Sequence, residues 1–283
     1  MKNKTWIITG ASQGLGLETT KYLINQGNNV IAFSRSPEVI IKAIGNVKNL
    51  LALSPDLSSV ADITEKINLA LKKFGTIDIV LNNAGYGLIG PFEEVNEQEI
   101  NNLFKVNIFY TFNVIKAVLP TLRKQKYGHI FNTSSVAGYR SFANFSLYSA
   151  VKFALDGFSE GLNYELQRIN ISVSAILPGG FRTNFLEATS IKYADSKISD
   201  YKSNFETDKQ HFNTINHQQL GDPKAYAKFI YDLTTKKTIP THIFVGNDSI
   251  RNALAKIKLI ETDIDSYKEQ SNQTGFKDFK SID

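Results

Sequence analysis

The sequence predicts an α/β protein built on a doubly wound parallel sheet of about seven strands, with helices on both faces. Three observations support this fold class. Short apolar segments alternate with longer amphipathic ones, the apolar segments are mostly continuous, and polar residues of chemical interest follow directly after them. Continuous apolar segments are typical of strands that are buried on both faces of a parallel sheet.

Seven apolar segments are predicted to be strands: residues 6–8, 29–33, 50–53, 77–81, 129–132, 171–177 and 241–245. Amphipathic spacing predicts helices over 15–26, 37–45, 59–74, 96–126 and 148–167, and Asp222-Pro223 is typical of a further helix start. Pro120 is expected to break or kink the long helix. Residues 248–276 predict a C-terminal helical extension, and residues 1–283 are expected to form one domain.

Composition excludes several classes of protein. The chain has no cysteine, so disulfides, thiolate catalysis and cysteine-based metal sites are absent. Its net charge of +5 is spread out rather than gathered in a basic stripe, so no nucleic-acid partner is expected. No apolar segment approaches the roughly 18 residues of a membrane helix. Since the N-terminus also lacks a signal-peptide pattern, a cytoplasmic protein is expected. The four histidines lack metal-ligand spacing, and no metal is expected.

The turn after the first predicted strand is rich in glycine. It reads Thr9-Gly10-Ala11-Ser12-Gln13-Gly14-Leu15-Gly16 and opens the first predicted helix. Glycine allows a close backbone approach, and a helix N-terminus presents amide N–H groups to phosphate. The turn therefore predicts a dinucleotide site formed by Gly10, Ser12, Gln13, Gly14, Leu15 and Gly16. A tight strand-to-helix turn without a ligand is the alternative.

The end of the second predicted strand indicates which dinucleotide is bound. An acidic residue at this position would bind the ribose hydroxyls of NAD. The sequence instead has Ser34-Arg35-Ser36, and the first acidic residue after the strand is Glu38. Because a guanidinium binds a phosphate in a bidentate manner, NADP(H) is predicted, held by Arg35 with help from Ser34 and Ser36. The alternative is that Arg35 is a solvated surface residue.

Tyr148 and Lys152 form the candidate catalytic pair. They are four residues apart on a predicted helix and therefore share one face. A nearby cation favours the phenolate and is expected to lower the pKa of Tyr148. The phenol can then protonate a carbonyl oxygen, or deprotonate an alcohol in reverse. The spacing by itself also fits an ordinary helix pair.

These motifs together resemble the short-chain dehydrogenase/reductase family. Thr9–Gly16 resembles the cofactor loop of that family, and Asn82-Asn83-Ala84-Gly85 resembles its N-N-A-G segment. The resemblance runs from Thr5 to about Thr183, and the region 221–276 resembles the tail of a subgroup of uncharacterised oxidoreductases in the family. It implies a single Rossmann-type domain.

The resemblance also implies roles for single residues. Ser135, thirteen residues before Tyr148, would hydrogen-bond the substrate oxygen, and Asn107 would hold a water that links Lys152 to solvent. Asp56 and Leu57 would line the adenine ring, and the remaining cofactor contacts would come from Asn83, Ala84, Gly85, Pro178, Gly179 and Thr183. Gln13 departs from the basic residue that many NADP-preferring relatives carry there.

The expected function is that of an NADP(H)-dependent oxidoreductase acting on a small carbonyl or alcohol substrate. Segments 86–92, 139–147 and 181–216 are predicted to surround the substrate, the last as a mobile lid. Their many aromatic residues indicate an apolar or ring-bearing substrate, although core packing explains some of them equally well. The sequence does not name the substrate.

Two other functions stay open at this point: a nucleotide-binding regulator on the same fold, and a sugar-nucleotide epimerase or dehydratase. The intact set of Asn107, Ser135, Tyr148 and Lys152 disfavours the first, and the glycine spacing disfavours the second. The resemblance also implies a homodimer or tetramer, paired through the helices that begin near Asn96 and Tyr148. The C-terminal tail could block a second interface.

Overall fold

The structure, a computed structural model, describes residues 3–276 of the chain. Its strands, in chain order, are β1 (Thr5–Thr9), β2 (Asn29–Phe33), β3 (Leu50–Leu53), β4 (Ile79–Asn82), β5 (Gly87–Ile89), β6 (Gly128–Thr133), β7 (Ile171–Pro178), β8 (Ile191–Tyr193) and β9 (His242–Val245). Seven of them form one parallel sheet in the order β3-β2-β1-β4-β6-β7-β9. The strand order reverses between β1 and β4, where ligands bind in sheets of this kind.

The helices cover both faces of this sheet. They are α1 (Gly14–Asn25), α2 (Pro37–Ile44), α3 (Val60–Phe74), α4 (Glu97–Phe104), α5 (Tyr110–Gln125), α6 (Ser146–Leu166), α7 (Ser199–Ile215), α8 (Pro223–Leu233) and α9 (Asn247–Asn272). Several begin at side chains that accept a hydrogen bond from the first turn, namely Ser59, Asn96 and Asp222. These are the short polar residues that favour helix starts.

Two apolar clusters, one on each face, hold the helices to the sheet. Neighbouring residues of β1 point to opposite faces. Trp6 and Ile8 therefore join the cluster that includes Tyr226 of α8, whereas Ile7 joins the cluster that includes Val118 of α5. All of these side chains are almost completely buried. The predicted doubly wound, Rossmann-type fold is confirmed.

The long helix predicted over 96–126 is interrupted, but not at Pro120. A π-helical turn, Lys105–Phe109, separates α4 from α5. Pro120 lies inside α5, which continues to Gln125, so the prediction of a break there was wrong. Proline lacks the N–H that would bond the carbonyl of Lys116. Since both residues are exposed, water can satisfy that carbonyl.

The segment predicted as a mobile lid, residues 181–216, packs against the body of the fold. It contains β8 and α7, and β8 pairs in parallel with β5 in a small second sheet that the sequence did not predict. Its two ends meet at a bridge between Phe181 and Gly221, so it extends past residue 216. Phe205 of α7 is buried against Ile89 and Ile191. This apolar contact fixes the lid on the body.

His129 is expected to make the fold sensitive to acid. It is buried in β6, where its Nε2 lies 3.0 Å from the Ser174 hydroxyl. Burial lowers the pKa of His129 from 6.5 to about 3. Between these values only the unfolded chain binds the proton, so we expect each pH unit of acidification to lower the free energy of unfolding by about 1.4 kcal/mol.

The measurement is urea unfolding between pH 7 and about 4, in the wild type and in His129→Gln. Glutamine keeps a hydrogen-bonding group but does not titrate. Carboxylate protonation affects both proteins, so only the difference in slope reports on His129. Equal slopes would contradict the prediction.

Candidate active site

The carboxyl ends of β1 and β4 are tied together by the Thr9 side chain. Its hydroxyl oxygen accepts hydrogen bonds from the Asn83 amide at 2.9 Å and from the Ala84 amide at 3.0 Å. The Asn83 side chain in turn donates to the Gly10 carbonyl at 3.3 Å. The glycine turn after β1 and the segment Asn83–Gly85 after β4 therefore form one continuous surface at the point where the strand order reverses.

The backbone of the turn favours glycine at three positions. Gly10 and Gly14 have φ of +65° and +54°, in the left-handed region. A Cβ on Gly16 would collide with the carbonyl oxygen of Gly10 and lie 2.6 Å from the side-chain nitrogen of Asn83, because α1 starts so close to the strand. No side chain of the described residues caps α1. Its first amides are therefore free to bind an anion, which is a fitting cradle for a pyrophosphate.

Gln13 has a partner that the sequence did not suggest. Its side-chain amide donates to the Ser190 hydroxyl at 2.8 Å. Ser190 lies directly before β8, in the lid. The turn is thus attached to the lid. The neutral Gln13 serves here as a hydrogen-bond donor to the protein itself.

Arg35 lies beside the glycine turn. The Ala11 amide donates to the Phe33 carbonyl at 3.2 Å, so the end of β2 is next to the turn. The Ser34 hydroxyl accepts from the Ser36 amide at 3.0 Å, which holds the backbone around Arg35. The Arg35 side chain is exposed. The guanidinium is therefore open to solvent next to the turn.

Asp56 and Leu57 follow β3, one strand further out. The Asp56 carboxylate is exposed and accepts from the Ser58 hydroxyl at 2.7 Å and the Ser58 amide at 2.8 Å. These bonds lower the pKa of Asp56 below its usual value. The carbonyl of Leu57 accepts from the Asn113 side chain at 2.9 Å. Both residues are therefore held at the same edge of the sheet as Arg35.

Tyr148 and Lys152 are buried on α6. The Lys152 Nζ atom lies 5.7 Å from the centre of the Tyr148 ring and donates to the Thr133 carbonyl at 2.9 Å. Burial lowers the pKa of Lys152 to about 8. Burial also raises the pKa of Tyr148 to about 12, and the Ser135 hydroxyl offsets only part of that rise. The expected lowering by the lysine was wrong for this structure, because loss of solvation has the larger effect.

Two adjacent serines after β6 have different surroundings. Ser134 is buried, and its hydroxyl donates to the backbone carbonyl of Lys152 at 2.8 Å. Ser135 is half-buried, and its oxygen accepts from the Ala137 amide at 3.1 Å. Its hydroxyl hydrogen thus stays available for Tyr148 or a ligand. The Ser134 hydrogen bond holds α6 against the end of β6. The sequence pattern did not predict this role.

Asn107 lies in the π-helical turn between α4 and α5. Its side-chain nitrogen donates to the carbonyls of Leu103 and Tyr86, both at 3.1 Å. Its side-chain oxygen is buried and has no partner among the described residues. A Cβ on Gly85 would lie 2.7 Å from this oxygen and 3.5 Å from the Lys152 Nζ atom. The free acceptor and the ammonium therefore border the same small space, which suits one bound water.

The loop after β7 reaches the glycine turn from the other side. Thr183 lies 3.5 Å from where a Cβ on Gly14 would be. The loop is held by the start of α9, since the Asp248 carboxylate accepts from the Gly180 amide at 2.7 Å and leaves no room for a side chain on Gly179. Asp248 was predicted only as part of the C-terminal helix. Its position shortly after a strand is the signal that could have identified it.

Aromatic side chains surround the phenol of Tyr148. The ring centres of Phe145 and Phe185 lie 6.0 and 6.1 Å from that of Tyr148. Phe145 also contacts Phe212 of α7, with ring centres 5.4 Å apart. Two of the segments predicted to surround a substrate, 139–147 and 181–216, are thus brought together here. The lid places an apolar wall beside the phenol.

A family model described as short chain dehydrogenase matches residues 4–194. The chain belongs to the short-chain dehydrogenase/reductase family of oxidoreductases. An uncharacterised oxidoreductase of Schizosaccharomyces pombe is 32% identical, with 97% of this chain and 93% of that protein covered. A short-chain dehydrogenase of known structure from Streptomyces avermitilis is 29% identical, with a TM-score of 0.86 over 98% of this chain and 100% of that one. The similarity to these two family members extends into the C-terminal region.

A further solved structure similar to this chain is that of ElxO with NADP bound. It is 25% identical to this chain and has a TM-score of 0.67, with 85% of this chain and 96% of that one covered. Within residues 3–276, none of the helices combines the length and the apolar character that crossing a membrane requires.

Proposed function

We propose that this short-chain dehydrogenase/reductase transfers a hydride between NADP(H) and the carbonyl or secondary alcohol of a small, apolar or ring-bearing substrate. The observation that carries the proposal is the position of the buried Tyr148–Lys152 pair. It lies on the same edge of the sheet as the uncapped glycine turn, and the segment Asn83–Gly85 borders both. A proton donor and a dinucleotide cradle therefore face the same space.

The residues at this edge fit the cofactor. The amides of Gly14, Leu15 and Gly16 at the start of α1 would bind the pyrophosphate, and Arg35 would bind the 2′-phosphate. Asn83–Gly85, Gly179 and Thr183 would hold the nicotinamide end. NADP(H), when bound, supplies or accepts the hydride. The preference for NADP over NAD is inferred from the Arg35 guanidinium alone.

Tyr148 would act as the acid in the reductive direction. Because burial raises the pKa of Tyr148 to about 12, the phenol is protonated at neutral pH. This is the form that donates a proton to a carbonyl oxygen as the hydride arrives. The Ser135 hydroxyl would donate a second hydrogen bond to the same oxygen, which stabilises its developing charge.

Lys152 and Asn107 would return the proton to Tyr148. The ammonium donates to the Thr133 carbonyl, and the free oxygen of Asn107 lies across a small gap. A water in this gap would accept from Lys152 and donate to Asn107, which links the buried pair toward solvent.

A panel of carbonyl compounds tests the proposal, with loss of NADPH absorbance as the readout. Aryl and alkyl ketones and aldehydes should be reduced faster than polar hydroxyketones of equal size, because the wall of Phe145 and Phe185 gains from burying apolar surface. Exchange of NADPH for NADH serves as the cofactor control. Tight NADPH binding without turnover on any carbonyl would instead support a nucleotide-binding regulator.

The pH profile of the reductive kcat is expected to follow Lys152. Its pKa of about 8 means that the ammonium loses its charge as the pH rises through this value. Tyr148 has a pKa of about 12 and keeps its proton far longer, so the fall in kcat should begin at the lower of the two values. Initial rates at saturating NADPH, measured between about pH 6 and 10, check this expectation.

Lys152→Arg supplies the matched comparison, since a guanidinium keeps its charge over this range. We expect lower activity but no fall in kcat near the pKa of about 8 that belongs to Lys152. A wild-type profile that stays level beyond pH 9, roughly, would contradict the role given to Lys152.

A further inference from the structure

The C-terminal helix α9 extends beyond the body of the protein. It has 26 residues, and only Ser249 and Ala253, near its start, are buried. Every residue from Ile257 to Asn272 is exposed. At about 1.5 Å per residue this part is roughly 24 Å long. Packing against the body therefore accounts for the first two turns of α9 but not for the rest.

The exposed part carries a seven-residue apolar repeat. Ile257 and Ile264 are seven residues apart, and Ile260 and Tyr267 each follow three residues later. Between 39% and 52% of each of these side chains is exposed. We call these four residues the α9 stripe. Apolar residues that alternate in steps of three and four are typical of a helix that pairs with another in a coiled coil.

Charge distinguishes the stripe from a membrane-binding helix. A helix that lies on an anionic membrane carries an excess of lysine and arginine on its polar face. Residues 247–272 contain four basic and five acidic side chains, a small negative excess. The composition of α9 therefore fits a protein partner better than an anionic lipid surface.

We propose that the α9 stripe pairs with the α9 stripe of a second copy of this chain, in a parallel two-stranded coiled coil. Ile257 and Ile264 occupy equivalent places in the seven-residue repeat. In a parallel pair, the residue directly before each of them faces the residue five places later in sequence on the other helix. Lys256 then faces Glu261 of the second copy, and Asp263 faces Lys268 of the second copy. Both contacts join opposite charges, and the two-fold axis repeats them.

Lys268 already has a partner within its own helix, since its Nζ atom lies 2.8 Å from Asp265. Both side chains of that pair are more than half exposed. Exposed ion pairs of this kind contribute little to stability. Lys268 can therefore exchange Asp265 for Asp263 of the second copy.

The antiparallel arrangement is disfavoured by like charges. Because Ala253 is buried against the body, pairing must be confined to the α9 stripe. Antiparallel helices paired over these positions would place Glu261 against Glu261 of the second copy, and Asp263 against Asp263 of the second copy. Like charges at such flanking positions repel. The parallel pair avoids both contacts and leaves the two bodies at the same end of the coiled coil.

Single cysteines test the arrangement, because the chain has none of its own. In a parallel pair residue 260 meets itself, so full-length Ile260→Cys should form a covalent dimer under mild oxidation. Thr262→Cys, on the outer face of α9, is the matched control and should stay uncrosslinked. If a covalent dimer forms only when Ile260→Cys is mixed with Ile264→Cys, the helices are antiparallel and the proposal is overturned.

The mass of the full-length protein gives an independent readout. Changing Ile260 and Ile264 together to lysine should halve the mass found by sedimentation at equal concentration, while helix content and NADPH affinity stay unchanged. An unchanged mass, combined with the absence of a crosslink in Ile260→Cys, would overturn the proposal. A monomeric wild type that floats with phosphatidylcholine–phosphatidylserine vesicles would overturn it in favour of a membrane surface.

Discussion

Replacing Tyr148 by phenylalanine is expected to leave NADPH binding intact and to lower kcat by about 10²–10⁴-fold. The phenylalanine ring fills the same space between Phe145 and Phe185, so the apolar wall should persist. Only the phenolic proton is lost, and the Ser135 hydroxyl that remains is a much weaker acid. NADPH fluorescence titration and steady-state kinetics with a substrate found in the carbonyl panel measure the two effects separately.

The matched control is Tyr164→Phe on the same helix. Tyr164 is 58% exposed and its hydroxyl lies 3.3 Å from Glu160, away from the site. It should keep normal kcat and normal NADPH affinity. A Tyr148→Phe variant with the turnover of the wild type would refute the proposed proton donor, and a loss of both properties would point to damage of the fold instead.

Arg35→Ala is expected to weaken NADPH binding by roughly 10- to 100-fold and to leave NADH binding almost unchanged. The expected loss follows from removal of the charge-assisted contact to the 2′-phosphate, worth about 1.5–3 kcal/mol in total. NADH lacks this phosphate, so the ratio of the two dissociation constants isolates the contact. Because the Arg35 side chain is exposed, its removal should not disturb the core.

Arg168→Ala is the control for a general effect of positive charge. Arg168 is exposed and lies shortly before β7, at the opposite edge of the sheet. Its removal should change neither affinity. Equal NADPH affinity in Arg35→Ala and the wild type would refute the NADP preference, and an equal loss for both cofactors would show that Arg35 supports the turn rather than the phosphate.

The positions of most strands and helices could be predicted from the sequence, because their physical causes are local. Strands such as Asn29–Phe33 are continuous apolar segments, and helix starts such as Asp222 use side chains that cap the next turn. The π-helical turn that begins at Lys105 could not be predicted, because no proline or glycine lies in it. It coincides with Asn107, whose side chain bonds backbone carbonyls of two separate segments.

The sequence by itself determined the order of strands and helices, the glycine turn, and the residue types available for catalysis, since each depends on spacing along the chain. Only the tertiary structure decided how these groups behave. Burial of Tyr148 and Lys152 sets the direction of both pKa shifts, and β8 pairs with β5 across about 100 residues of sequence. Solvation and long-range pairing depend on what surrounds a residue in space, which its neighbours in sequence do not specify.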